Sequence, residues 1–166
     1  GGEEAHLGLI DEGGEFIHFQ YGMNEENSFA MNDMVQKNDQ YFSWYVVNRR
    51  QGILIKNMSE LRLQGLDDSD FVNANVTSMV VVPLLSGLSV LGVMSVLIKN
   101  RKKVFTEYDL HAAEAIGTHA GIALQNARLF EEVNNLAVRD PLTHIFNRRH
   151  FFNLARVELE RAKRYG

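Results

Sequence analysis

The sequence predicts an α+β fold in which an antiparallel sheet leads into a long C-terminal helix. Three observations indicate this fold: two β-prone segments meet at Gly13-Gly14, two apolar segments meet at Ser86-Gly87, and a helical pattern runs from Thr106 to Arg139. Hydrophobic residues make up 45% of the 166 residues and charged residues 23%, a balance typical of a globular chain with a substantial core.

The first two segments, Ala5–Asp11 and Glu15–Tyr21, are typical of a hairpin because Gly-Gly supplies the positive φ of a tight turn. A two-residue loop would place Leu9 opposite His18. A looser turn remains open, since two glutamates would otherwise face each other. Alternation along the strands gives a buried face comprising Gly8, Ile10, Ile17, Phe19 and Tyr21.

Residues 28–38 are polar and mixed, with helix-like spacing of three apolar residues. These are Met31, Met34 and Val35. A helix is predicted over Gln40–Arg50, with Asp39 as a cap and Gly52 past its end.

The next part of the chain returns to strands. Ile53–Ile55 predicts a short strand, and residues 57–77 predict a loop with one short helix near Ser69–Ala74. Met79–Leu85 and Ser89–Lys99 are apolar on both faces, which indicates central strands of a covered sheet.

The long helix begins at Thr106, whose hydroxyl can cap the first turn together with Asp109. Nothing interrupts its pattern before Pro141, and at 1.5 Å per residue it would be about 50 Å long. A heptad-like seam recurs along it at Ala113, Ile116, Ala120, Ala123, Ala127 and Phe130. We expect one seam to pack on the sheet and the C-terminal half to pair with another chain. A second, amphipathic helix is predicted over Asn147–Tyr165.

Composition excludes several classes of function. Without cysteine, the chain has no disulfide, thiolate metal site or thiol nucleophile. Its net charge of −4 argues against nucleic acid as a partner. No apolar run approaches the ~20 residues that span a bilayer, and the first residues lack the basic region of a signal peptide. We expect a cytoplasmic location, with membrane attachment of the parent protein upstream left open.

The histidines predict no metal site. His111 and His119 are eight residues apart, not the four that place ligands on adjacent helical turns, and His6 and His18 fall on opposite hairpin faces. A Gly-rich phosphate loop and a Gly-x-Ser-x-Gly elbow are also missing from the sequence.

Four segments in order, Thr77–Leu84, Val90–Val96, Phe105–Leu110 and Gly121–Leu129, resemble the C-terminal half of a GAF domain. The resemblance implies a PAS-like antiparallel sheet of five or six strands flanked by helices, a small-molecule pocket and dimerisation through terminal helices. It places the sensor domain at residues 1–126, with its usual first helix missing, and a helical linker at 127–139.

Asp140-Pro141-Leu142-Thr143, followed by Asn147-Arg148-Arg149, is similar to the opening signature of GGDEF domains, although His144 replaces the usual glycine. Residues 140–166 would then begin a diguanylate cyclase domain, which makes cyclic di-GMP from two GTP molecules with Mg²⁺. The motif's metal ligands and Gly-Gly-Asp/Glu-Glu-Phe turn do not occur here, so we expect no catalytic residue and no cofactor in this chain. The residues expected to fix the domain junction are Asp140, Thr143, Asn147, Arg148 and Arg149.

Aromatic and methionine side chains suit a pocket between sheet and helices, because aromatics give shape and methionine adapts to it. The candidates for lining it are Phe19, Tyr21, Trp44, Tyr45, Met79, Val81 and Met94. Ordinary core packing is the alternative for the same residues, and the ligand remains open.

These observations lead to two hypotheses. In the first, the chain is the small-molecule-sensing and homodimerising module of a bacterial diguanylate cyclase. In the second, it is a non-enzymatic interaction module whose GGDEF partner is degenerate and serves as a cyclic di-GMP receptor or scaffold.

Overall fold

The computed structural model describes residues 3–24, 26–57, 60, 65–66, 75–99, 103–140, 142–143 and 145–165. The strands are β1 (Glu3–Ile10), β2 (Phe16–Asn24), β3 (Ser28–Gln36), β4 (Ile53–Ile55), β5 (Ser78–Ser86) and β6 (Ser89–Ile98). The helices are α1 (Phe42–Arg49), α2 (Glu107–Val138) and α3 (Arg148–Tyr165). The chain divides into two compact units, Gly1–Leu124 and Gln125–Gly166.

The six strands form one antiparallel sheet in the order β3-β2-β1-β6-β5-β4. The prediction of an α+β fold with a central antiparallel sheet of five or six strands and a long C-terminal helix is therefore confirmed. The predicted short helix near Ser69–Ala74 lies outside the described residues. Within the described ranges, no helix is both long enough and apolar enough to cross a bilayer.

The first hairpin follows the predicted register only in part. Leu9 pairs with His18 as predicted, and Asp11 Oδ1 closes the turn by accepting the amide of Phe16 at 3.0 Å. Farther along, the register shifts at Gln20, which reverses the alternation of faces. Tyr21 is consequently 61% exposed, so the prediction that it lies on the buried face is wrong.

Residues 28–36 form an edge strand and not a helix, although three apolar residues have helical spacing. Met31 and Val35 pack against the core, whereas Met34 is largely exposed. A separation of four residues satisfies both a helix and a strand face, and pairing with β2 selects the strand.

Helix α1 begins two residues later than predicted, at Phe42. Asp39 is not its cap, because the carboxylate instead accepts a hydrogen bond from the Asn48 side chain at 2.6 Å. At the other end, Arg50 and not Gly52 adopts the left-handed conformation, with φ of 55°.

Two cores cover the two faces of the sheet. On one face, α1 contributes Trp44 and Val46 to the larger core, which includes Ile17, Met79 and Leu97. We call this side the α1 face. On the opposite face, the first half of α2 packs on β5.

Glycine permits the close approach of α2 to β5. A Cβ at Gly121 would overlap the carbonyl oxygen of Leu85, and one at Gly117 would lie 2.9 Å from that of Pro83. The sheet-facing stripe therefore runs through Ala113, Gly117 and Gly121. Of the predicted seam, Ala113 faces the sheet as expected, whereas Ile116, Ala123, Ala127 and Phe130 are exposed.

The start of α2 is fixed by hydrogen bonds to two side chains. As predicted, Thr106 and Asp109 form a capping box: the Asp109 carboxylate accepts the Thr106 amide at 2.7 Å, and Thr106 Oγ1 accepts the Asp109 amide at 3.4 Å. Just before them, the buried Ser78 hydroxyl donates to the carbonyl of Ile55 at 2.8 Å and accepts the amide of Phe105 at 3.1 Å. This serine joins β4, β5 and the approach to α2.

Candidate functional site

A cavity of about 490 Å³ opens on the α1 face of the sheet. Strands β1, β2, β3 and β6 contribute to its wall, with Phe42 of α1 and Val76 completing it. The described residues that line it are Glu4, His6, Phe19, Met31, Asp33, Met34, Val35, Phe42, Val76, Ser95, Leu97 and Lys99. Its wall combines apolar side chains with charged groups from three strands or their ends, which suits a small amphiphilic molecule.

Pairing of β1 with β6 positions the polar side of the cavity. Glu4 lies opposite Leu97 and His6 opposite Ser95, so all four side chains share the α1 face. Lys99, at the end of β6, donates from Nζ to Glu4 Oε1 at 2.7 Å, and His6 Nε2 lies 3.6 Å from Glu4 Oε2.

Burial is the main cause that lowers the pKa of His6 below its ordinary value of 6.5, and the nearby Lys99 ammonium acts in the same direction. The Glu4 and Asp33 carboxylates act in the opposite direction and only partly offset these effects. At neutral pH the imidazole is therefore mostly uncharged, and in that form it can donate through one nitrogen and accept through the other.

Two glycines let aromatic rings lie against the strands beside the cavity. A Cβ at Gly8 would lie 2.8 Å from the Phe19 ring, and a Cβ at Gly22 would overlap the ring of Phe29. The Phe29 ring in turn meets His6 edge to face, with 6.2 Å between the ring centroids. Larger residues at either glycine would push these rings away from the sheet.

The structure separates the seven residues predicted to line a pocket. Phe19 lines the cavity. Trp44, Met79 and Val81 are buried in the larger core, and Tyr45 packs at its edge.

The other two predicted residues, Tyr21 and Met94, line neither the cavity nor the larger core. Tyr21 faces solvent because of the shift at Gln20, and Met94 lies on the opposite face, beside Val82, with which it pairs.

The charged residues of the cavity were not predicted from the sequence. Glu4 and Lys99 are separated by 95 positions, and charged residues in isolated strands ordinarily indicate solvent exposure. Only the pairing of β1 with β6 brings them together, and short-range patterns in the sequence do not reveal that pairing.

A second group of predicted residues lies in the unit Gln125–Gly166, where a short turn connects α2 to α3. Asp140 Oδ1 accepts the amides of Leu142 at 3.1 Å and Thr143 at 2.9 Å, as well as the Thr143 hydroxyl at 2.9 Å. The Asp140 amide donates to the Ile145 carbonyl at 2.8 Å. Thr143 therefore stabilises the turn by donating two hydrogen bonds to Asp140.

Asn147 bonds both helices. Its side-chain amide donates to the carbonyl of Ala137 in α2 at 2.7 Å, and its Oδ1 accepts the amide of His150 in α3 at 3.0 Å. Its backbone amide also donates to Val138 at 2.8 Å. It therefore ends one helix and starts the next.

The two arginines that follow are exposed. The guanidinium of Arg148 lies over the ring of Phe152, 5.9 Å from its centroid. In the part of the chain that the structure describes, no three acidic or histidine side chains gather as metal ligands.

Comparison with solved structures relates this architecture to known domains. The GAF domain of a two-component sensor histidine kinase from Bacillus halodurans matches with a TM-score of 0.61 and 16% identity, over 79% of this chain and 86% of that one. A methyl-accepting chemotaxis protein, residues 122 to 287, gives 0.64 and 14%, over 78% and 82%. The red/green cyanobacteriochrome NpR6012g4 in its red light-absorbing state gives 0.60 and 12%, over 76% and 85%.

At these identities the structural matches establish the fold alone. No curated protein matches the sequence. The sequence itself matches the GAF domain family over residues 2–125, which is most of its length. The chain belongs to the GAF domain family.

Proposed function

We propose that this GAF domain is the sensory and dimerising part of a bacterial diguanylate cyclase. A small molecule in the cavity would control cyclic di-GMP synthesis from GTP and Mg²⁺ by a GGDEF domain that begins at Asp140. The observation that carries this proposal is the continuity of α2, whose 32 residues run without a break from Glu107 to Val138. The histidine kinase and the chemotaxis protein with similar folds are themselves signalling proteins.

The C-terminal half of α2 supports homodimerisation. Its exposed apolar side chains are Leu129, Phe130, Val133 and Leu136. The most exposed of these four residues is Phe130, at 70%. A helix with such a surface gains free energy by pairing, and a second copy of the same helix offers a matching surface.

The Asp140–Asn147 turn supports transmission to the cyclase. A helix that ended in flexible chain would lose rotation and displacement before they reached the next domain. Here Asn147 forms hydrogen bonds with both helices, and Asp140 accepts three hydrogen bonds within the turn. Because the turn is held in this way, a movement of α2 would be transmitted to α3. Ligand binding would then act by shifting the equilibrium between two packings of the paired helices.

The test is to join the chain to the rest of an active GGDEF domain and to measure cyclic di-GMP formation from GTP and Mg²⁺. Two residues inserted after Asn134 rotate everything downstream by about 200°, whereas seven residues rotate it by about 700°, within about 20° of two full turns. We expect the two-residue insertion to change the rate severalfold and the seven-residue insertion to preserve it. Equal rates in all three proteins would refute transmission through the helix.

Dimerisation has its own measurement. Sedimentation velocity of the chain is expected to show a dimer, and Phe130→Asp should convert it to a monomer by placing a charge in the apolar contact. Arg128→Ala, on an exposed neighbouring position of the same helix, serves as the matched control and should leave the dimer intact. A monomeric unmodified chain at high concentration would contradict the proposal.

A further inference from the structure

Among the described residues, the charges that line the cavity do not balance. Its described lining carries two carboxylates, Glu4 and Asp33, and one ammonium, Lys99. Lys99 is already paired with Glu4 at 2.7 Å, whereas Asp33 forms no ion pair with the residues that the structure describes. The described wall therefore presents one unpaired negative charge.

His6 does not reverse this balance. Its burial lowers the pKa below 6.5, so the ring is mostly uncharged at neutral pH. An anionic molecule would meet Asp33 without finding an unpaired cation among the described lining residues. A cationic molecule would gain an ion pair with Asp33, which forms none with the described residues.

The remainder of the wall fits the apolar body of such a molecule. Phe19 and Phe42 contribute aromatic rings, whose faces attract cations, and Val35 and Leu97 contribute aliphatic surface. Ser95 also lines the cavity, and its hydroxyl can donate a hydrogen bond to a bound molecule or accept one from it.

We infer that the cavity binds a small monocation with an apolar body, of the arylalkylamine class, with its ammonium beside Asp33 and its ring between Phe19 and Leu97. The inference rests on the proposed sensor function and specifies its ligand. In this arrangement Asp33, an exposed residue of the edge strand β3, recognises the ammonium of the ligand. The Glu4–Lys99 ion pair is part of the cavity wall before the ligand binds.

The test uses three probes of similar size at pH 7.5: 2-phenylethylamine as the cation, 2-phenylethanol as the neutral analogue and phenylacetate as the anion. Binding is followed by ligand-detected NMR and by fluorescence of Trp44, whose indole N–H donates to the carbonyl of Val35 in the cavity wall at 3.3 Å. We expect the amine to bind about tenfold more tightly than either analogue, the size of a ~1.4 kcal/mol interaction.

Two variants locate the charge recognition. Asp33→Asn should weaken amine binding about tenfold and leave the alcohol unchanged, because only the charge is removed. Glu12→Gln, in the exposed hairpin turn away from the cavity, is the matched control and should change neither. Preference for phenylacetate, equal binding of amine and alcohol, or no binding of the amine would each overturn the ligand class. The insertion series described above does not depend on these probes and tests the sensor–cyclase proposal separately.

Discussion

Replacing Gly121 by alanine separates two opposing effects on the long helix. Alanine is favoured over glycine in a helix by about 1 kcal/mol, so propensity alone predicts stabilisation. In the structure, however, the new methyl group would overlap the Leu85 carbonyl oxygen and lie 2.6 Å from the carbonyl carbon and 2.7 Å from the amide nitrogen. These are backbone atoms of β5, held in the sheet, so the helix itself would have to move.

Overpacking of this kind costs about 1–3 kcal/mol and can exceed that range. Because the overlap is with backbone atoms, the upper end of this range, about 3 kcal/mol, applies. Subtracting the gain in propensity, we expect Gly121→Ala to lower the free energy of unfolding by about 2 kcal/mol. Urea unfolding monitored by Trp44, which is buried in the same unit, should then show a midpoint lower by about 1 M, for a slope of about 2 kcal/mol/M.

His119→Ala, on the exposed side of the same helix, is the control and should leave the midpoint unchanged or raise it slightly. Gly117→Ala should have a smaller effect than Gly121→Ala, because its closest contact would be 2.9 Å. A midpoint for Gly121→Ala at or above that of the unmodified chain would refute the close docking of α2 on β5.

Three further predictions concern side chains described above. Thr106→Ala should cost about 1 kcal/mol and raise amide exchange in the first turn of α2, because the capping box is lost; unchanged exchange would argue against that cap. His6 should titrate below 6.5 by NMR. The free energy of unfolding should fall as pH drops through about 6.5, because the unfolded chain then binds a proton that folded His6 does not; His6→Gln should remove this part of the pH dependence, and a His6 pKa above 6.5 would contradict it. Asn147→Ala should raise amide exchange at His150 and lower helicity by circular dichroism, since one side chain bonds both helices; Arg149→Ala, which removes no such bonds, is the control.

Local chemistry made much of the fold predictable. The turn at Gly13-Gly14 correctly predicted the pairing of Leu9 with His18, and Thr106 with Asp109 correctly predicted the start of the long helix. Both features depend on residues within a few positions of each other. The strand β3 was harder to predict because its apolar spacing fits two periodicities and only pairing with β2 decides between them.

The cavity could not be predicted in the same way. Trp44, Met79 and Val81 are large and apolar, properties shared by core residues and by pocket residues, and burial of all three assigns them to the core. Conversely, Glu4 and Lys99 line the cavity through a contact between the first and the last strand in the chain. Which charges become buried depends on that tertiary pairing, and no periodicity encodes it.

The strand order has a consequence for how ligand binding and folding are linked. Strands β1–β3 and β4–β6 each join neighbours in the chain, and within the described residues the two halves meet where β1 pairs with β6. Of the residues that line the cavity, Glu4 and His6 belong to β1, and Ser95 and Leu97 belong to β6. A molecule in the cavity would contact both halves of the sheet at once. Because it would bind only where β1 and β6 are paired, its binding would raise the free energy needed to separate these two strands.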